Sequence, residues 1–282
     1  MGFLQMAYNQ SVVPDHTLLV GCGQVGTQLG ERLNAAGSQI TALRRDPSDL
    51  PSSFTRLSID LMQPVSETLP EVDSMVVTLT PTMLDPAGEN GYLKALQHLA
   101  HALPNVPSRV VFVSSTRVFE GHSMARPLTE DDPVAPTSHR GETLVAGEQL
   151  AVELFGAHVV RPAGIYGPGR EMLIRKVLAN EAVQYNRLTN RIHQTDLVNT
   201  LYAILSAKEP PAVLHAIDQA PGVPLGDIVE YIASQLHVAV PPALEQDGSR
   251  GRILGGDRLH TWLGPLDYPT YREGYDSILA GR

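Results

Sequence analysis

With 282 residues, 43% hydrophobic and 18% charged, the chain can build one large α/β domain, or one domain with a small appendage, and is too apolar for a disordered or coiled protein. Its formal net charge of −9 argues against nucleic acid or anionic membrane as a main partner, since both require a basic footprint; a local basic pocket for one phosphate is compatible with it. The single cysteine, Cys22, rules out an intrachain disulfide and fits a reducing, cytoplasmic setting.

Residues 1–16 read as a loose arm, without the basic and then apolar layout of a signal peptide. No apolar run approaches the ~18 residues needed to span a bilayer. Thr17–Val20 is a short apolar run stopping at Gly21, after which Val25, Leu29 and Leu33 recur at helical steps until Gly37. Strands are expected at Gln39–Leu43, Leu57–Ile59 and Met75–Leu79. Leu93, Leu96, Leu99 and Leu103 restore helical spacing until Pro104. A buried strand at Val110–Val113, a helix around Glu142–Phe155 and a strand at His158–Arg161 follow. This alternation predicts α/β architecture, a Rossmann-type doubly wound parallel sheet with its ligand crevice at the strands' C-terminal ends.

After about residue 165 the rhythm breaks: Pro162, Gly164, Gly167, Pro168 and Gly169 crowd together. Isolated helices (Asp196–Ala207, Leu225–Leu236) then alternate with short strands such as Val213–Ile217. The expected division is an N-terminal arm at 1–16, a dinucleotide-binding core at 17–165, and a smaller substrate-side portion at 166–282 partly interleaved with the core.

Gly21-Cys22-Gly23-Gln24-Val25-Gly26 lies between the first strand and the first helix, which is the context of a dinucleotide turn. Gly21 permits the tight turn, Gly23 lets a pyrophosphate approach the backbone, and Gly26 lets helix pack on strand. Backbone amides around Gln24 and Val25, at the helix N-terminus, supply the positive end for the anion. An NAD site would carry an acid at the end of the second strand, but that strand ends Arg44-Arg45, with Asp46 one or two positions late. Two guanidiniums suit a 2′-phosphate, so NADP is expected ahead of NAD. Cys22 reads as a small residue of the turn.

Further segments fall in order: Asp60-Leu61, Leu79-Thr80-Pro81, Ser114-Ser115-Thr116-Arg117-Val118-Phe119-Glu120-Gly121, Arg161-Pro162-Ala163-Gly164-Ile165-Tyr166-Gly167-Pro168-Gly169 and Arg191-Ile192-His193-Gln194-Thr195-Asp196. Together they resemble the extended short-chain dehydrogenase/reductases, the NAD(P)-dependent epimerase/dehydratase family, and most of all an atypical bacterial subgroup. The resemblance implies that Asp60 contacts the adenine amino group and that Leu79, Thr80 and Ser114 line the cofactor crevice. It implies that Ser115 is the catalytic hydroxyl and that Pro162 and Ala163 cradle the nicotinamide amide. His193 and Asp196 would position the second half of the fold. Residue chemistry leaves plainer roles open: Asp60 as a turn cap, His193 with Asp196 as a helix cap, Tyr166 as core or pocket.

One departure from the family pattern stands out. No tyrosine lies between Tyr92 and Tyr166, and no lysine between Lys94 and Lys176, so the family's Tyr-x-x-x-Lys dyad has no register. If Glu148 takes the family's helix glutamate, Arg140 and Leu144 occupy the dyad positions; one residue earlier, His139 and Thr143 do. A guanidinium stays charged and cannot serve as the acid, so Arg140, with Thr116 and Tyr166, is a candidate substrate contact. His139 can move a proton near neutral pH, and the candidate catalytic set is Ser115, His139 and Tyr166.

No cysteine pair or His-x-x-x-His spacing predicts a metal site, and His98 with His101 lacks a companion ligand. Thr80–Gly91 has the composition of a lid, and Glu130-Asp131-Asp132 that of a solvated lip. The expected function is an NADP(H)-binding oxidoreductase or epimerase-like enzyme acting on a small molecule through a non-standard proton donor. The alternative is a non-catalytic dinucleotide sensor or partner-binding module that has lost the dyad. A homodimer is left open.

Overall fold

The computed structural model describes residues 12–81, 90–123, 126–244 and 251–281. Most of the N-terminal arm and of the lid-like loop therefore lies outside the described residues. In chain order the elements are β1 (His16–Val20), α1 (Gln24–Ala35), β2 (Gln39–Arg44), β3 (Thr55–Ser58), β4 (Ser74–Val77), α2 (Gly91–Ala102) and β5 (Arg109–Val113). A 3₁₀ turn at Thr116–Phe119 leads to α3 (His139–Phe155), β6 (His158–Pro162), β7 (Gly164–Tyr166), α4 (Met172–Leu178), β8 (Leu188–Thr189) and β9 (Arg191–His193). The chain continues through α5 (Gln194–Ser206), β10 (Val213–Ala216), β11 (Val223–Pro224), α6 (Leu225–Leu236), α7 (Asp257–Leu263) and α8 (Tyr271–Ala280).

Seven strands form the main sheet in the order β10-β6-β5-β4-β1-β2-β3. The pairings from β6 through β5, β4, β1 and β2 to β3 are parallel. β1 to β3 build outward on one side of β1 and β4 to β6 on the other, so the winding reverses between β1 and β4. That reversal opens a crevice at the strands' C-terminal ends. The doubly wound α/β fold expected from the sequence is the fold observed.

Chain contacts divide the molecule into two units. One comprises the residues up to Glu120, Val134–Arg161 and Val198–Leu214; the other comprises Gly121–Pro133, Pro162–Leu197 and His215–Arg282. The first has a core in which Leu18, Val20, Met75, Val77, Val110 and Phe112 from the strands meet Tyr92, Leu96 and Leu99 of α2. The strands are buried on nearly every residue, which is why they read as continuous apolar runs and not as alternating ones. The second unit packs Tyr166, Leu173, Ile174 and Val177 against Ile228, Val229 and Ile232 of α6 and Tyr271, Tyr275 and Ile278 of α8.

Element ends differ from the sequence expectation where side chains intervene. The third strand runs over Thr55–Ser58, and Ile59 still donates its amide to the Arg44 carbonyl (3.2 Å). The fourth ends at Val77, because Thr78 turns its hydroxyl onto the Val20 and Gly21 carbonyls (3.1 and 2.9 Å). α3 starts at His139 and not near Glu142, because the Ser138 hydroxyl accepts the Gly141 amide (3.1 Å) and caps it.

Candidate functional site

The glycine turn follows directly from β1. Gly21 has φ +74°, and a Cβ there would also stand 3.1–3.2 Å from Leu79 and Thr78 at the end of β4. Both conditions demand glycine. At Gly23, the residue before α1, a Cβ would meet only the Gly21 carbonyl at 3.9 Å, so the backbone faces open space where a phosphate can come close. Gly23 has no side chain with which to cap α1, and the helix's N-terminal pole, which favours anions, stands at the same turn. At Gly26 an added Cβ would press on the Cys22 sulfur at 3.2 Å. Cys22 is buried, and burial pushes its thiol up, so it is a packing residue of the turn.

This turn opens on a cleft of about 540 Å³, lined by Gly21, Gly23, Arg44, Arg45, Asp60 and Thr80 among others. Every wall comes from the C-terminal end of a strand: β1, β2, β3 and β4 each contribute. The cleft thus brings together Gly21, Gly23, Arg44, Arg45, Asp60, Leu79 and Thr80 of the expected cofactor residues, whereas Gln24, Val25, Gly26, Ser114, Pro162 and Ala163 are not among its lining. The Asp60 carboxylate accepts the Met62 amide at 3.1 Å, a turn-capping role, while the residue lines the cleft. The Arg44 guanidinium reaches the Cys22 carbonyl (3.1 Å), the Asp46 carbonyl and Asp49 (2.7 Å). Arg45 is exposed, with its main chain held by the Ser58 hydroxyl (2.8 Å). A cradle without side chains at a helix N-terminus and two guanidiniums in one cleft fit a dinucleotide.

A second group of candidates gathers beyond β5. Ser114 is 7% exposed and donates its hydroxyl to Glu148 of α3 (2.6 Å). Glu148 also takes a bidentate pair of bonds from Arg161 at the end of β6 (3.0 and 2.7 Å). The Arg161 guanidinium lies over the Phe119 ring at 5.2 Å. Ser114 is therefore a structural anchor, whereas the hydroxyl of half-buried Ser115 accepts the Arg117 amide and begins the 3₁₀ turn. Thr116, beside it, is also half-buried.

At the other end of that turn Glu120 accepts the amides of Thr137 (3.1 Å) and Ser138 (2.6 Å) and the Ser138 hydroxyl. These bonds fix the first turn of α3, where His139 and Arg140 are exposed. Thr143 and Leu144 are buried one turn on, and Thr143 accepts a bond from Asn90 at the start of α2 (2.8 Å). The tether through Glu120 and the buried Ser114–Glu148–Arg161 cluster were missed from sequence. Their partners are 13 to 34 residues apart and leave no periodic signal.

The remaining candidates belong to the second unit. Pro162 ends β6, and Ala163 donates its amide to the Ala216 carbonyl (3.0 Å). Tyr166 is 1% exposed, stacked on Tyr275 and edge-on to His193, with its hydroxyl donating to the Thr270 carbonyl (3.2 Å). Burial pushes the Tyr166 phenol far up, so a phenolate does not form there at accessible pH. His193 accepts the Thr195 amide, and burial pulls its imidazole down to about 4. Asp196 accepts the Asp267 and Tyr268 amides (2.8 and 3.0 Å) and fastens the loop before α8. His98 bonds the Leu61 carbonyl (2.8 Å), and His101 the Gln97 carbonyl on its own helix. Asp131 pairs with Arg258 and Asp132 with Arg126, so the acidic run is partly neutralised. Among the described residues no cluster of three or more His, Cys, Asp or Glu is placed to hold a metal ion, and no helix is long and apolar enough to cross a membrane.

The family described as RmlD substrate binding domain matches residues 16–195, which takes in the glycine turn, β1 to β9 and the start of α5. The chain belongs to this family. The RmlD-type chain is also 27% identical to Protein YeeZ of Escherichia coli K12 over 271 residues, covering 89% of this chain and 95% of YeeZ. It superposes on a Methylobacillus flagellatus structure named for the NAD-dependent epimerase/dehydratases with a TM-score of 0.78 at 26% identity, over 96% of this chain and 99% of that one. It shares its fold with human SDR39U1, solved with NADPH, at a TM-score of 0.79 and 20% identity, over 95% and 100% of the two chains. The resemblance to the NAD(P)-dependent epimerase/dehydratase family read from the sequence is thereby borne out at the level of the family, and a dinucleotide-binding, oxidoreductase-like role goes with it.

Proposed function

We propose that this protein binds NADP(H) in the cleft above β1 and β4 and acts as an oxidoreductase or epimerase-like enzyme on a small molecule. The observation that carries the reading is the pairing of a side-chain-free phosphate cradle with Arg44 and Arg45 in one cleft. Gly21, Gly23, Gln24, Val25 and Gly26 would hold the pyrophosphate through backbone amides, with Arg45 at the adenosine ribose, Arg44 bracing the turn beside it, and Asp60 at the adenine. Leu79 and Thr80, at the same cleft, would line the way to the nicotinamide. When bound, the nicotinamide supplies or accepts a hydride.

The chain's own part in the chemistry is to polarise the substrate and move a proton. Ser115 is the hydroxyl best suited to the first task, since the Ser114 hydroxyl is committed to Glu148. His139 is the better proton carrier: it is exposed on the first turn of a helix tethered to the Ser115 segment through Glu120, whereas the Tyr166 hydroxyl is buried and bonded. Arg140, exposed beside it, and Thr116 are candidate contacts for an anionic or polar substrate.

The test is a titration of NADPH followed by a library of carbonyl substrates. Binding with turnover that Ser115→Ala and His139→Ala each reduce at least about tenfold supports the assignment. Turnover that survives both substitutions rejects the two residues while leaving the enzyme class intact. One observation favours a second reading, a dinucleotide-dependent sensor: in one register buried Leu144 takes the place of a ribose-binding lysine. Tight NADPH binding with no turnover across the library is the expected result for that reading.

A further inference from the structure

Arg44 and Arg45 are adjacent in sequence but held very differently. The Arg44 Nη1 donates to the Cys22 carbonyl within the phosphate turn, Nε to the Asp46 carbonyl, and Nη2 pairs with Asp49 at 2.7 Å. Every nitrogen of its guanidinium therefore has a protein acceptor, and the side chain braces the glycine turn against the segment that follows β2. Asp46 is committed too, accepting the Ser48 amide at 3.0 Å and so shaping the turn that presents Asp49. Arg45 lines the same cleft, is exposed, and has no carboxylate partner among the described residues.

We propose that Asp49 sets the cleft's preference between the two dinucleotides, by keeping Arg44 as a brace and leaving Arg45 alone to meet a ribose 2′-phosphate. This rests on the dinucleotide reading above and names the residue that discriminates within it. The physical ground is the sign of the charges. A 2′-phosphate arriving at Arg44 meets the Asp49 carboxylate already there, and two anions sharing one guanidinium repel. The unphosphorylated ribose brings no charge and is indifferent to Asp49. Arg45 attracts the phosphate without such opposition. The Asp49 side chain is 70% exposed, so its repulsion is moderate and salt-sensitive, tuning the preference without abolishing either ligand.

The experiment measures NADPH and NADH dissociation constants by fluorescence titration for the wild type, Asp49→Asn and Arg45→Met. Asp49→Asn is expected to tighten NADPH about three- to tenfold and to move NADH by less than about twofold, with the gain shrinking at high salt. Arg45→Met is expected to weaken NADPH about tenfold with little effect on NADH. If the wild type binds dinucleotide but Asp49→Asn shifts neither ligand, or both equally, the role given to Asp49 is overturned. A wild type that binds neither dinucleotide overturns the underlying reading instead. Because Asp49 is exposed, the fold survives its substitution, which a melting curve verifies.

Discussion

Glu148 and Arg161 are both 7% exposed and meet in a bidentate bond that also takes the Ser114 hydroxyl. Water cannot compensate either charge once its partner is gone, so removing one costs far more than the pair is worth. Arg161→Met is expected to destabilise the protein by about 3–5 kcal/mol, while adding Glu148→Leu recovers much of that loss. Urea unfolding of the single and double variants measures both. A single variant as stable as the double would show that the ion pair is not what the site requires. Individually these residues were visible in the sequence: Glu148 as the helix glutamate, Arg161 as the head of its motif, Ser114 at a strand end. Their meeting was not, because a contact between three elements is set by the way α3 crosses the sheet.

Glu120 decides where α3 begins. Burial alone would raise its carboxyl, but the donors of Ser138, Thr137 and Arg117 outweigh that and hold it below the usual carboxylate range. It works with the Ser138 hydroxyl as a composite cap, and an added Cβ at Gly141 would collide with it. Ser138→Ala is expected to cost about 1 kcal/mol, the usual value of such a cap. Amide exchange should quicken in the first turn of α3 and stay unchanged in β4 and β5; a uniform increase would place the effect elsewhere. Because the Glu120 carboxyl is held low, its contribution is complete above the ordinary carboxylate pKa and fades as acid protonates it. At this scale the sequence was read well where packing writes the pattern. α6 falls at Leu225–Leu236, as its spacing predicts, because its apolar stripe is its core face. The start of α3 was legible only to within a turn, since the residue that fixes it lies 18 positions upstream.

Across the molecule, the second unit holds buried groups whose protonation opposes one another. Burial raises Asp218 to about 7 and Asp196 to about 6, and lowers His193 to about 4. Carboxyls with raised folded pKa values favour folding while protonated, so their contribution falls as pH rises from about 4 to 7. His193 works in the other direction: its lowered pKa makes its contribution grow over about pH 4 to 6.5. The carboxyls outnumber the imidazole, so replacing one of them should be visible. Asp218→Asn, which keeps an acceptor for the Ala220 amide, is expected to gain stability relative to the wild type between pH 4.5 and 7.5, by on the order of 2 kcal/mol. Denaturation at the two pH values checks this, and a difference that does not change with pH refutes the assignment.

Among the described residues, the cleft at the glycine turn draws every one of its walls from between Gly21 and Thr80. Chains emerge from the ribosome N-terminus first and tend to fold as they emerge. These described walls of the cleft are therefore synthesised before α2, and before any residue of the second unit. Under the proposed dinucleotide reading, the walls that would meet the phosphates and the adenosine are made first, and the residues proposed to meet a substrate follow.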